Sequence, residues 1–443
     1  MGRCATDKVG RSDYVPTKSN SALCTSFAIA VIAVIAACGE PAPDVSQDTQ
    51  DLLEEVVDQV PNNWPTLNPA GFGASYHPAG FVDLSNNYFT PQGTNGRECG
   101  TCHAPEDGWS ITPGTVTLMF LLTGGTHPLF VNNLDTDTPT SDMSTLAARW
   151  NATTMLRQGK FTRRVSPPAV RDYEVIAASD PFGVGTTSSL WFFRRPLPTA
   201  NFRSHTVMWD GANTVGTVLR DGLIKQARGN VTGAQQGSPA PDDIIFDIVD
   251  YERAVSNAQL VSFSAGRLDA AGARGGPQAL DAQPLVDARF DLFDAWERGN
   301  PRRRQIWRGQ ELFNGVNAGN GKSCRGCHSA ANNGQNVAGQ LFDVGISRPD
   351  LAHPDMAIYT FRRNSDGATL DTTDPGRGIR SGNFADLNRF KVPNLRGLAS
   401  RAPYFHNGIA ATLEEVVRLY EASLGFVFTA QERDDLVAFL ASL

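Results

Sequence analysis

The chain has 443 residues and a net charge of -7, with 41% hydrophobic and 19% charged residues, which excludes a disordered or fibrous protein and leaves room for two or three domains. Its 39 Lys and Arg are scattered and outnumbered by 46 Asp and Glu. A nucleic-acid groove needs a basic stripe to displace counterions, so nucleic acid is not expected as a partner.

Lys8, Arg11 and Lys18 precede the apolar run FAIAVIAVIAAC, which ends at Cys38 and is short for a comfortable membrane span. Residues 1–38 therefore read as an export signal. Ile35-Ala36-Ala37-Cys38 resembles a bacterial lipobox, in which Cys38 becomes the lipidated first residue. An uncleaved anchor helix or a plain signal peptide are the simpler readings. Gly39 after Cys38 resembles lipoproteins passed to the outer membrane, so the expected location is the periplasmic side of a bacterial envelope, lipid-anchored. Residues 39–63 are acidic, Pro-bearing and low in apolar content, as a tether is.

Export favours disulfides, yet the cysteines are otherwise used. Of seven, Cys4, Cys24 and Cys38 belong to the leader, and the other four form two C-x-x-C-H pentapeptides, Cys99-Cys102-His103 and Cys324-Cys327-His328. Such a pentapeptide is compatible with a zinc knuckle, a redox dithiol or a c-type haem anchor. Zinc needs its second pair of ligands within one small module, and a redox dithiol has no obligatory His. Haem c attachment uses every element: two thiols for the two vinyl groups and the adjoining His for iron. Two covalently bound c-type haems are expected, with His103 and His328 as proximal ligands.

Residues 64–255 form a first haem region rich in Gly, Pro, Thr and Asn turns, where few regular elements are expected. Residues 256–300, including SAGRLDAAGARGGPQALDAQPL, read as an interdomain connection. Residues 301–443 form a C-terminal cytochrome c domain. There Asn300 caps a helix with Pro301 at its first position and Gly315 as its stop, and Ile306, Gly309 and Phe313 share a face. Thr429 and Glu432 make a capping box before the stripe Leu436, Phe439, Leu440 and Leu443. Gly309 allows the two helices to cross closely. The expected fold is mainly α: two cytochrome c-like haem domains, the N-terminal one with long irregular loops.

The segment RFKVPNLRGLASRAPYFHNGIAATLEEVVRLY (389–420), with VMWDGANTV (207–215), resembles the bacterial di-haem cytochrome c peroxidase and MauG superfamily. The resemblance implies H2O2 activation at an open N-terminal haem and electron relay through the C-terminal one, fed by a small redox donor such as a cytochrome c or a cupredoxin. It implies that Tyr420 is the sixth ligand of the relay haem, with Met356 as the rival; a phenolate favours ferric iron where a thioether favours ferrous. Leu413, Val416, Val417 and Tyr420 also fall on one apolar face of a helix capped by Thr412 and Glu415, which core packing alone would satisfy. Trp209 matches the aromatic residue between the haems, His406 a family signature, and Arg396 a propionate contact.

The pocket departs from the family. The family's proton-shuttling Glu aligns with Gln236, or with Gln235, and a Pro with Asn230; Gln cannot take up and return a proton. His205 is the substitute, and His205 and His127 are the candidates to cap the first haem, since Ser188 and Ser189 stand near the usual His. The family's Ca2+ site has an Asn where this chain has Pro196. The expected function is a peroxidase-like di-haem oxidoreductase acting on H2O2 or O2. The alternatives are a haem oxygenase of the rubber-oxygenase type, a di-haem electron carrier, and a structural lipoprotein with stabilising haems.

Overall fold

The computed structural model describes residues 58–130, 135–280, 288–315, 321–329, 334–336 and 339–443. The export signal, the lipobox at Cys38 and the tether up to residue 57 lie outside them. Nine α-helices and thirteen strands occur among the described residues, so the fold is mixed α and β, which corrects the mainly α expectation.

Four strands precede the first pentapeptide: β1 (Gln59–Pro61), β2 (Thr66–Asn68), β3 (Gly71–Tyr76) and β4 (Phe81–Asp83). Then come helices α1 (Pro113–Thr123), α2 (Leu146–Ala152) and α3 (Thr154–Arg157), and strands β5 (Phe161–Val165), β6 (Tyr173–Ser179) and β7 (Leu190–Arg194). Helices α4 (Leu219–Thr232) and α5 (Asp242–Ala254) lead into β8 (Ser256–Ser262) and β9 (Gly266–Arg267). The remainder carries α6 (Pro301–Asn314), β10 (Leu341–Phe342), β11 (Ile358–Arg363), β12 (Thr369–Thr372), α7 (Gly378–Ser381), β13 (Phe390–Lys391), α8 (Leu413–Leu424) and α9 (Ala430–Leu440).

Strands distant in sequence pair. One sheet runs β2-β3-β8-β9 and another β12-β11-β6, so β11 joins a strand some 180 residues earlier, with Tyr359 opposite Ala178. On β8 the polar Asn257 and Gln259 are buried, and Gln259 exchanges two amide hydrogen bonds with Asn68 at 2.8 and 3.1 Å. Every residue of β7, LWFFR, is buried. β7 does not alternate, and in β8 the alternation Asn257-Ala258-Gln259-Leu260 does not mark a half-buried strand because both faces are buried.

One core gathers Leu268, Phe290, Phe293 and Trp296 from the 256–300 stretch with Ile306, Phe313, Leu436 and Phe439 from α6 and α9. A second surrounds Tyr88, Trp109, Val207 and α4–α5. The caps in the C-terminal part are those expected. Asn300 accepts from the backbone N–H of Arg302 and Arg303, and Thr412–Glu415 and Thr429–Glu432 are complete capping boxes.

Helices α6 and α9 touch at Gly309, where a Cβ would stand 2.0 Å from the Asp435 carbonyl oxygen and 2.7 Å from the Phe439 Cβ. The glycine is therefore a steric requirement of the crossing. Gly229, helical and exposed in α4, has nothing within 4 Å of its missing Cβ. Two substitutions should act in opposite directions in a denaturant melt. Gly309→Ala lowers the unfolding free energy by at least ~2 kcal/mol through overpacking. Gly229→Ala raises it by about 0.5–1 kcal/mol through helix propensity.

Candidate functional site

The two pentapeptides fold alike. In the first, the Cys102 and His103 N–H groups donate to the Cys99 carbonyl at 3.2 and 3.1 Å; in the second, Cys327 and His328 donate to the Cys324 carbonyl at 3.2 and 3.0 Å. All four cysteines are free and half-buried.

The histidines are fixed by the same device. His103 Nδ1 lies 3.2 Å from the Trp109 carbonyl, and His328 Nδ1 lies 2.7 Å from the Gly334 carbonyl, six residues on in each case. A carbonyl only accepts, so each Nδ1 carries a proton; in the neutral ring of His328 this leaves the lone pair on Nε2, whereas a second carbonyl, that of Leu197, also lies within hydrogen-bond reach of His103. Both carbonyls are aimed by left-handed backbone: Trp109 has φ 63° after Gly108 at 62°, and Gly334 has φ 85°. Trp109 is held in that conformation by complete burial and by its indole N–H donating to Ser75 Oγ at 2.9 Å. A Cβ at Gly334 would stand 2.5 Å from Leu395 Cγ.

Burial lowers both imidazole pKa values to about 4, for His103 against the opposing pull of the Trp109 and Leu197 carbonyls and for His328 against that of Gly334. Both rings are thus neutral and ligand-ready near pH 7. Burial also pushes the thiols up, to about 12 for Cys102 and Cys324, the reverse of the shift a redox dithiol needs. Among the described residues no three His, Cys, Asp or Glu side chains converge on a point suited to a metal ion.

These features fit haem c: paired free thiols, a neutral buried imidazole, and a buried guanidinium whose Nε has no partner. Arg396 is buried, its Nε has no partner, and its guanidinium lies 5.4 Å from the Phe290 ring centre. Burial lowers its pKa to about 9, with Asp291 opposing.

Tyr420 projects from α8 into the core that includes Cys324. Burial raises its phenol, and the Cys324 and Cys327 sulfurs are close enough to add to the shift. Its ring meets Phe405 edge-on at 5.5 Å. Met356 sits instead beside Phe192, Phe193 and Asn407.

Trp209 is anchored three ways. Its indole N–H donates to the Arg195 carbonyl at 2.8 Å, its own carbonyl accepts from Lys391 N–H at 2.7 Å, and its ring lies 6.1 Å from His406. His406 is buried and neutral, its pKa lowered to about 4 by burial; it stacks on Phe390 at 3.8 Å and shares a 3.2 Å hydrogen bond with Ser347 Oγ. The next residue after Trp209, Asp210, accepts from Arg194 at 2.7 Å and Arg380 at 3.2 Å, and Arg194 also grips Asp374 at 2.6 and 2.8 Å. The sequence reading missed this network; the paired Arg194-Arg195 and the Asp after Trp209 were its signal.

The other candidates fall elsewhere. Gln236 is exposed, with φ 56°, whereas Gln235 is buried and fully engaged, accepting from Gln92 N–H at 2.8 Å and donating to Asn230 Oδ1 at 3.0 Å. His205 packs against Gly339, in the loop after the second pentapeptide. His127 Nδ1 accepts from Leu129 N–H at 3.2 Å, and the Pro196 carbonyl accepts from Ser110 Oγ at 3.0 Å. A buried acid near the first motif is Glu252 on α5: burial raises its pKa well above the carboxylate range, Oε1 has no partner, and it lies within electrostatic reach of Cys99 and Tyr88.

Burial alone would raise the Asp210 pKa, but Arg194 and then Arg380 outweigh it and hold the carboxyl well below its usual value. A depressed folded-state pKa gives stability that is present above about pH 4 and lost as pH falls further. Asp210→Asn should flatten the acid limb of a thermal-stability profile below pH 4. Arg194→Met should cost about 3–5 kcal/mol at pH 7, because it strands Asp210 and Asp374 in the interior.

No family model matches the chain. It is 34% identical over 181 residues to cytochrome-c peroxidase IdrP1 of Denitromonas iodatirespirans, covering 36% of this chain and 46% of that protein. It is 33% identical over 155 residues to cytochrome c551 peroxidase of Nitrosomonas europaea, covering 34% and 38%. It is 27% identical over 150 residues to methylamine utilization protein MauG of Paracoccus denitrificans, covering 32% and 38%. The chain thus spans less than half the length of these curated relatives.

Proposed function

The chain is a relative of the bacterial cytochrome c peroxidases and of MauG, and from that premise we propose that it is an exported di-haem c-type oxidoreductase of the peroxidase kind, facing the periplasm. The observation that carries the reading is the matched pair of buried, neutral histidines, each with Nδ1 bound to the carbonyl six residues on. In this reading Cys99 and Cys102 hold one haem through thioethers and Cys324 and Cys327 the other, with Arg396 at a propionate of the second. When bound, the first haem supplies the iron at which H2O2 is reduced and the second an electron store.

The protein's own groups do the rest. Trp209, Arg195 and His406 form a rigid junction held by Arg194, Asp210 and Asp374, and in this reading it is the bridge between the two haems. Rigidity there fixes the distance over which an electron passes. Tyr420 is the side chain offered toward the second site as an oxygen ligand, and Met356 is the weaker candidate because it packs with Phe192 and Phe193. The electron source is a small redox protein, and lipid attachment at Cys38 would hold the enzyme at the outer membrane.

A second reading is favoured by one observation: Gln235 is locked in two hydrogen bonds and Gln236 is exposed, so neither position offers a carboxyl for proton transfer. That suits an oxygenase of the rubber-oxygenase kind, which works with O2 at an open haem. Turnover with a reduced small cytochrome c as donor separates the two. The peroxidase reading predicts donor oxidation that starts on adding H2O2 under anaerobic conditions and falls about tenfold or more in Trp209→Phe with haem content unchanged. Oxidation that needs O2 and ignores H2O2 would move the assignment to the oxygenase.

A further inference from the structure

Beside the first pentapeptide, Arg97, Arg163, Arg194 and Arg380 lie among Asp135, Asp210 and Asp374. Arg97 pairs with Asp135, Arg194 with Asp210 and Asp374, and Arg380 with Asp210. Four cations against three anions leave one positive charge over, and Arg163 is the guanidinium with no ion pair. Its one hydrogen bond runs from Nη1 to the neighbouring Thr162 carbonyl at 3.4 Å.

The position of Arg163 is set by the sheet. Strands β5 and β7 pair antiparallel with Arg163 opposite Phe192 and Phe161 opposite Arg194, so Arg163 and Arg194 emerge on the same face. From there Arg163 is within electrostatic reach of both Cys102 and His103. A recessed guanidinium without an anion is costly, and a planar fork of N–H donors matches a carboxylate in two parallel bonds. Among the described residues the carboxylates within electrostatic reach of Arg163, Asp135 and Asp210, are already paired with Arg97 and with Arg194 and Arg380.

Resting on the di-haem reading, we propose that Arg163 binds a propionate carboxylate of the haem attached at Cys99 and Cys102. That carboxylate balances the charge of the ion network that anchors Asp210 and, next to it, Trp209. Seating of the first haem and placement of the bridging tryptophan are then parts of one electrostatic unit. Arg163 is a positioning residue in this scheme.

The test is spectroelectrochemical titration of the purified di-haem protein, with covalent haem counted separately from the denatured pyridine spectrum. Arg163→Gln should keep two haems and shift the midpoint potential of one of them downward, because a nearby cation favours the reduced iron. Arg163→Lys should restore most of that shift, and Asp135→Asn, which removes an anion from the same cluster, should shift the potential upward. Both potentials unchanged in Arg163→Gln at full haem content would overturn the proposal. If that variant does not fold, an unchanged potential in Asp135→Asn overturns it equally. A haem count of zero in the wild-type protein would instead remove the di-haem reading itself.

Discussion

The arrangement depends on one hydrogen bond made twice, from an imidazole Nδ1–H to a main-chain carbonyl six residues downstream. It orients each ring and puts a proton on Nδ1. Aiming that carbonyl requires left-handed backbone, supplied once by glycine and once by a tryptophan whose burial and indole hydrogen bond hold it there. The two motifs lie in different cores and differ in most flanking residues, yet they reach the same geometry.

Around Trp209 lies a buried junction of charge and aromatic rings. Arg194 joins a carboxylate beside Trp209 to one near His406, and His406 stacks on Phe390 while its carbonyl accepts from Arg195 N–H at 2.6 Å. Burying so much charge is expensive, and replacing such pairs with apolar residues is often neutral or stabilising. What the ion pairs provide here is position: segments near residues 195, 210, 374 and 406 are locked to one another, which a redox bridge needs more than it needs stability.

The sequence was most legible where chemistry or capping is local. The helix start at Asn300 and the capping boxes at Thr412 and Thr429 depend on a few neighbouring residues, and each is found as read; the close crossing at Gly309 is found too, signalled by the small residue on the helix face. The strands were not legible, because β7 is apolar on both faces and β8 buries Asn257 and Gln259, whose partner Asn68 lies almost 190 residues away. The candidate site was half legible. Its ligands carry a spacing, but the carbonyls of Trp109 and Gly334 and the unpaired charge of Arg163 exist only once the chain has folded. Choosing between Gln235 and Gln236 likewise needed burial, which adjacent identical residues cannot reveal.

The central claim is that each pentapeptide carries its own covalently bound haem. The intact mass of the mature denatured protein tests it most directly. The account predicts the polypeptide plus two haem masses, with peptide mapping placing one on Cys99 and Cys102 and the other on Cys324 and Cys327. A mass equal to the bare polypeptide, or both additions on one motif, would contradict it.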